Sequence, residues 1–261
     1  MAGPVSDSNQ EPPPWWDPSV PRSQSPRQLR KITCFKNVDK SAFLPAIATT
    51  NIRSLGPKIK SFIQDFRMRE LTVSCLTETW GKDDKLSYRK NILKMFHMEG
   101  LGILSLNRKA KRGGGVAIVF DAEAIHIQEL DVIVPHNIEI IWGIGRPKKG
   151  KIKTLIIATL YYPPRAKKKQ KVINHLITVL HSLLGRYPDA EIIIAGDRNE
   201  LDLTPVIRKV PNLRLVPSGL THRQKQLDVF LTSLNDSYKP TLIGNETTLI
   251  GYQLYDKLDK T

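Results

Sequence analysis

Two acids stand directly behind apolar runs: Glu78 in Leu76-Thr77-Glu78-Thr79-Trp80, and Asp197 in Ala195-Gly196-Asp197-Arg198-Asn199. Other polar residues take matching places. Asn51 closes a short extended stretch, Tyr161 closes the run before Tyr162-Pro163-Pro164, and Asn199 follows Asp197 by two positions. Asp228 sits inside the apolar segment Leu227-Asp228-Val229-Phe230-Leu231. Sheets with crossover helices bind ligands at the carboxyl ends of their strands, where Asn51, Glu78, Tyr161 and the Asp197–Asn199 pair would fall. The residue types suit hydrolysis of a phosphodiester, which needs an activated water, neutralised phosphoryl oxygens and help for the leaving oxygen. A hard cation such as Mg2+ or Mn2+ does much of this, and takes one or two carboxylates plus waters and phosphate. Glu78 then reads as the metal ligand and Asp197 as the group that orients and activates the water. Asn51, Asn199 and Tyr161 donate hydrogen bonds to the phosphate without adding negative charge. An acid within an apolar strand, as Asp228 is, calls for a partner, and a histidine is a natural one.

Each residue taken singly also has an ordinary structural role. Asp after Gly forms turns. Asn51 can cap the approach to a helix, Glu78 can be a solvated strand end, Tyr161 can pack in a core, and Asp228 can face outward from an edge strand. The run Gly113-Gly114-Gly115 has the spacing of neither a phosphate loop nor a dinucleotide fingerprint and is expected to form a tight turn.

The elements that must position these residues are readable from periodicity. Ala46–Asn51 is extended. Pro57–Glu70 places Ile59, Phe62, Ile63 and Phe66 on one helical face, and Leu71–Leu76 reads as a strand, completing a β-α-β unit. Further strands are expected at Leu101–Leu106, Val116–Phe120, Ile125–Val132, Ile138–Ile144 and Ile152–Tyr161, with a hairpin turn at 145–150. A second β-α-β unit follows: a helix from Lys169 to Leu184 ended by Gly185, then the fully apolar strand Ile192–Ala195. Leu227–Thr232 is the last expected strand. Two such halves predict an α/β protein with two mixed sheets packed face to face and helices outside.

Composition narrows the partners. Lys and Arg number 40 against 25 acids, a formal charge of +15 and a pI near 9.8. Such a surface favours polyanions, DNA above all, although charge runs are also simply solvated loops. No run approaches the length of a membrane span. Two cysteines, Cys34 and Cys75, make no disulfide framework, which fits an intracellular location, the nucleus included. Residues 1–42, rich in Pro, Ser and Arg, read as a disordered leader. Residues 43–235 form the folded domain, and 236–261 a divergent tail, polar from Asn245 to Thr261.

The motifs in order are Asn51-x-Arg53-Ser54-Leu55, Leu76-Thr77-Glu78-Thr79-Trp80, Arg112-Gly113-Gly114-Gly115-Val116-Ala117, Tyr161-Tyr162-Pro163-Pro164, Gly196-Asp197-x-Asn199 and Leu227-Asp228. This series, over residues 45–233, resembles the endonuclease/exonuclease/phosphatase superfamily. Within it, the wording is similar to the endonuclease domain of non-LTR (LINE-like) retrotransposons. The resemblance implies a four-layer α/β sandwich and Mg2+-dependent nicking of DNA that primes retrotransposition. It places Glu78 and Asn51 at the metal and phosphate end, Tyr161 on a phosphate-contacting tyrosine, Asp197 and Asn199 on the Gly-Asp-x-Asn motif and Asp228 on the late aspartate. Arg53, Arg112, Arg165, Lys167 and Lys168 are then the expected DNA contacts, with no membrane, no small-molecule cofactor and a monomeric chain.

Two departures stand out. Arg198 occupies the position between Asp197 and Asn199, which is apolar in the family, where it is expected to disturb the packing or pair with Asp197. The family's closing Ser-Asp-His has no counterpart: no histidine occurs after His222, and the segment from Asn235 to Thr261 contains none. His222 lies in a loop position before the last strand and is a poor substitute. The tail is therefore expected to replace the family's last strand, leave the fold incomplete there with an unpaired edge, and leave the chemistry impaired. Two classes of function follow: a metal-dependent endonuclease of reduced activity, or a non-catalytic nucleic-acid-binding remnant.

Overall fold

The computed structural model describes residues 45–81, 86–108, 113–135, 138–150, 152–216, 228–234, 239–243 and 249–253, the last two segments and 86–89 by backbone alone. The leader at 1–42, Arg112 and His222 lie outside the described residues.

Strands β1 (Ile47–Asn51) and β2 (Val73–Thr77) flank helix α1 (Ile59–Met68), which a 3-10 turn at Gly56–Lys58 introduces. Pro57 suits that turn because its missing N–H has no acceptor there anyway. Ile59, Phe62, Ile63 and Phe66 are the buried face of α1, as their spacing predicts. Helix α2 (Leu86–Met98) follows, then β3 (Leu101–Leu106), β4 (Val116–Asp121), β5 (Ile125–Glu129) and β6 (Glu139–Pro147). Next come β7 (Leu155–Tyr161), α3 (Lys169–Arg186), β8 (Glu191–Asp197), α4 (Thr204–Lys209), β9 (Arg214–Leu215) and β10 (Asp228–Thr232), and the chain closes with β11 (Lys239–Ile243) and β12 (Leu249–Gln253).

These strands make two six-stranded mixed sheets, ordered β11-β12-β1-β2-β4-β3 and β5-β6-β7-β8-β10-β9. The pairs β1–β2 and β7–β8 are parallel, each joined by a helical crossover, and the other pairs are antiparallel. Side chains alternate across each strand. One face of the first sheet (Ala48, Leu76, Ala117, Val119) packs under α1 and Phe96 of α2, while one face of the second (Ile156, Ala158, Ile192, Ile194, Leu231) packs under α3 and α4. The inner faces meet through Ile47, Val73, Ile118, Ile157, Ile193 and Phe230. The four layers run helix, sheet, sheet, helix, as expected.

Several details differ from expectation. Gly185 does not end α3, which runs to Arg186; the Tyr187 N–H still bonds the Leu183 carbonyl at 2.7 Å. The stop comes from Pro188, which disfavours helical backbone in the residue before it. The expected turn at 145–150 begins later, because β6 stays paired with β5 as far as Pro147. The expectation of an unpaired edge beside β1 does not hold. Segments 239–243 and 249–253 pair antiparallel with each other, and β12 pairs with β1 through Ile47 and Tyr252. Each segment carries a short apolar run, Leu242-Ile243 or Leu249-Ile250, and backbone hydrogen bonds between them and to β1 extend the sheet.

Candidate active site

The space between the sheets changes character along the strands. At one level it holds Ile47, Val73, Ile157 and Ile193; one step on, Thr49, Cys75, Thr159 and Ala195; and at the strand ends, Asn51, Thr77, Tyr161 and Asp197. Asp228, first residue of β10, lies directly opposite Asp197, and Glu139, first of β6, lies opposite Tyr161. Asn51, Tyr161 and Asp197 are each the last residue of a parallel strand, and Glu78 follows the last residue of β2. The core thus opens into a polar row at the carboxyl ends of the parallel strands, the place that crossover topology leaves free of helices.

The two sheets are bonded to one another here. The Asn51 amide nitrogen donates to Asp197 Oδ2 at 3.2 Å. The Tyr161 hydroxyl donates to Glu78 Oε1, and the Trp80 indole Nε1 donates to Glu78 Oε2 at 2.9 Å. Asp197 Oδ1 accepts the Asn199 backbone N–H at 3.0 Å, while the Asn199 side-chain amide donates to the Tyr162 carbonyl at 2.8 Å. Asn199 thereby laces the loop carrying Arg165, Lys167 and Lys168 to the Asp197 strand end. All three cations, and Arg53 after β1, are exposed at this end of the sheets. Arg198 donates Nη1 to the Leu201 carbonyl at 3.1 Å, within its own loop.

Burial governs the electrostatics. Asp197 is 6% exposed, and its carboxyl is pushed up to about 6: burial is the main cause, and the Glu78 charge adds to it against the bonds from Asn199 and Asn51. Burial, then the hydrogen bond and charge of Glu78, hold the Tyr161 phenol well above its ordinary value, so it remains a neutral donor. Of eight described non-glycine residues with positive φ, six lie in the loops at this end: Arg53, Ser54, Glu78, Trp80, Arg165 and Asn199. Backbone strain of this kind collects at functional sites.

Two features escaped the sequence reading. Glu139 accepts the Arg108 Nε at 2.9 Å and the Gly115 backbone N–H at 2.7 Å, fastening the triple-glycine turn beside the site. That turn has φ of 85°, 72° and 85° at Gly113, Gly114 and Gly115, and a Cβ on Gly114 would stand 2.4 Å from Glu139. A lone acid at the mouth of an apolar strand was the available signal. Trp80 shares the motif of Glu78, but its bond to that carboxylate depends on a loop geometry that spacing does not encode.

Gly196 sets the Asp197 position. Its φ is 141°, and a Cβ there would meet the Leu160 carbonyl oxygen at 2.0 Å. Gly196→Ala is expected to cost at least about 2 kcal/mol through strain and overpacking, read as a lower urea midpoint with an unchanged slope.

The donor set fits a hard cation. Asn51 Oδ1 is buried without a hydrogen-bond donor, and each Glu78 oxygen keeps a lone pair beyond the bond it accepts. Carboxylate and amide oxygens are the ligands such ions take. Among the described residues no group of three or more His, Cys, Asp or Glu side chains is clustered for a metal.

Two mixed sheets packed within helices, with this row at their strand ends, have the endonuclease/exonuclease/phosphatase fold, and similar solved structures agree. One is the endonuclease domain of TRAS1, a telomere-specific non-LTR retrotransposon, at 12% identity over 80% of this chain and 98% of that chain, TM-score 0.57. Truncated Caenorhabditis elegans TDP2 matches at 15% identity over 81% and 98%, TM-score 0.57. ANGEL2, a 2',3'-cyclic phosphatase, matches at 12% over 80% and 94%, TM-score 0.57. At such identities the likeness is one of fold. No family model matches the chain, and no curated protein matches its sequence.

Proposed function

We propose that the chain is a metal-dependent phosphodiesterase of the retrotransposon DNA-endonuclease type, working slowly because its sequence lacks the closing histidine. The observation that carries this reading is the convergence of Glu78, Asn51 and Asp197 at the seam between the sheets, with Asn51 Oδ1 buried and lacking a donor. Glu78 and Asn51 would hold Mg2+ or Mn2+, which when bound neutralises charge on the phosphoryl oxygens. Asp197, with its carboxyl near 6, is ionised at neutral pH yet basic enough to take a proton from the attacking water. Tyr161 brings a neutral O–H and Asn199 an amide, both suited to a phosphate oxygen and both bonded within the site until substrate arrives. Asp228 completes the acidic pair opposite Asp197, without the Asp-His sequence that would add a cationic donor. Lack of one such donor commonly costs about a hundred- to thousand-fold in rate. DNA as substrate and the +15 charge favour a nuclear, monomeric protein.

Supercoiled plasmid tests the reading. Slow nicking in Mg2+ or Mn2+ and none in chelator is expected. Equal nicking in chelator overturns the metal site, and release of phosphate from small monoesters without nicking makes the chain a phosphatase.

The missing histidine favours a second reading, a non-catalytic DNA-binding remnant. Both readings expect the exposed Arg165, Lys167 and Lys168 to bind the backbone. Replacing all three by Ala should lower the slope of log K against log salt by about 2–3, at about 0.9 per phosphate contact on duplex DNA. Fluorescence anisotropy across a salt series measures it, and an unchanged slope removes these residues from the interface. A remnant binds without nicking under any metal condition.

A further inference from the structure

We propose that Trp80 is a positioning residue for Glu78, fixing the carboxylate so that it can hold a divalent cation. The inference rests on the metal-site reading above. Glu78 is held at both oxygens by neutral donors from different elements: Tyr161 O–H from the end of β7 at Oε1, and the Trp80 indole N–H at Oε2, 2.9 Å away. Neutral donors fix the orientation of the carboxylate while leaving its full negative charge for a cation, and each oxygen keeps a lone pair for it. A lysine in place of Trp80 would fix the same oxygen but cancel the charge.

The indole is itself held in place. The Trp80 backbone N–H bonds the Gly114 carbonyl at 2.9 Å, and its φ is 53°, a left-handed geometry that a bulky residue adopts only where its surroundings impose it. Gly113 stands against the indole nitrogen, with a Cβ built there at 3.7 Å. The turn that supplies both glycines is fastened by Glu139 through the Gly115 N–H. A continuous chain of contacts therefore runs from Glu139 through the triple-glycine turn to Trp80 and on to Glu78. The arrangement parallels the outer-shell partners of metal ligands, whose loss typically costs 10- to 100-fold in metal affinity.

Direct Mn2+ binding, measured by EPR of the free ion, tests the role without reference to turnover. Trp80→Phe keeps an aromatic ring and removes only the donor. About tenfold weaker Mn2+ binding is expected, with a thermal midpoint close to wild type. Binding equal to wild type overturns the inference. Should wild type bind no Mn2+, or Glu78→Gln bind it as tightly as wild type, the metal-site reading fails first. A second measurement needs no substitution at Trp80. The chain has four tryptophans, and with 15N-labelled indoles, Mg2+ should shift one indole N–H signal in wild type and none in Glu78→Gln. No Mg2+-dependent indole shift, in a protein that binds Mn2+ through Glu78, overturns the inference.

Discussion

Glu78→Gln is expected to reduce Mg2+-dependent nicking of supercoiled plasmid by about a hundredfold or more, the scale on which loss of one charge-stabilising group at a reacting phosphate acts. The carboxylate has two oxygens, each accepting one neutral donor. Glutamine has one acceptor oxygen and an NH2 group. The NH2 must therefore face either the Trp80 N–H or the Tyr161 O–H; the phenol can rotate to accept, so the disturbance to the fold is small and stability should stay within about 1 kcal/mol of wild type. What is lost is the negative charge at the end of β2. Initial nicking rates at saturating Mg2+, with urea unfolding as the control, decide the matter, and a wild-type rate in the variant removes Glu78 from the site.

Asp197→Asn should separate function from stability. The wild-type carboxyl lies near 6 in the folded chain against 3.8 for the ordinary group, with burial as the main cause. Its folded value is raised, so in chelator the folded state binds the proton more tightly than the unfolded chain. Between pH 4 and 6 the unfolded chain has already released that proton and the folded chain has not, and stability falls as pH rises through this window. The gap corresponds to about 3 kcal/mol at most. Asparagine carries no charge to bury but loses one acceptor, worth about 1 kcal/mol. In chelator at pH 7.5 the variant should therefore exceed wild type by about 1–2 kcal/mol, and at pH 4 it should not. Its nicking rate should fall by at least about a hundredfold, since an amide accepts no proton from water. Urea midpoints at the two pH values measure the first effect; a wild-type protein whose stability is flat from pH 4 to 7 contradicts it.

Such a variant would be more stable and less active, a common trade where a buried charge serves chemistry. The residues involved were legible in the sequence because they interrupt apolar strands. Asp197 after Ile192–Ala195 and Glu78 after Leu71–Leu76 are polar residues where periodicity calls for apolar ones, and the structure brings both to one end of the paired sheets. The long strands and the helices α1 and α3 were legible for the same reason, each carrying a full apolar face. Helix α2 was not. Phe96 is its one fully buried described side chain, while Leu93 and Met98 are exposed, so its pattern is thin. The hairpin at 239–253 was missed because its apolar runs, Leu242-Ile243 and Leu249-Ile250, are too short to set a period, and its partner β1 lies far off in the sequence. Glu139 and Trp80 act through turns whose left-handed geometry has no periodic signature. Asn199 lies beside Asp197, as its spacing requires, but its amide is engaged with Tyr162, a partner that spacing alone does not reveal.

The pairing of β12 with β1 also bears on how the protein is made. The two strands are separated by roughly two hundred residues, so this contact raises the contact order, and loop-closure entropy must be met before the pairing returns any stability. At ribosomal speeds of about 5–20 residues per second, the outer edge of β1 waits about 10–40 s for its neighbour to be synthesised. Through that interval β1 can pair with β2, but its other side remains a template for any extended chain nearby. Sheet closure at this edge therefore has to follow synthesis of β12, and until then the nascent chain is open to mispairing there.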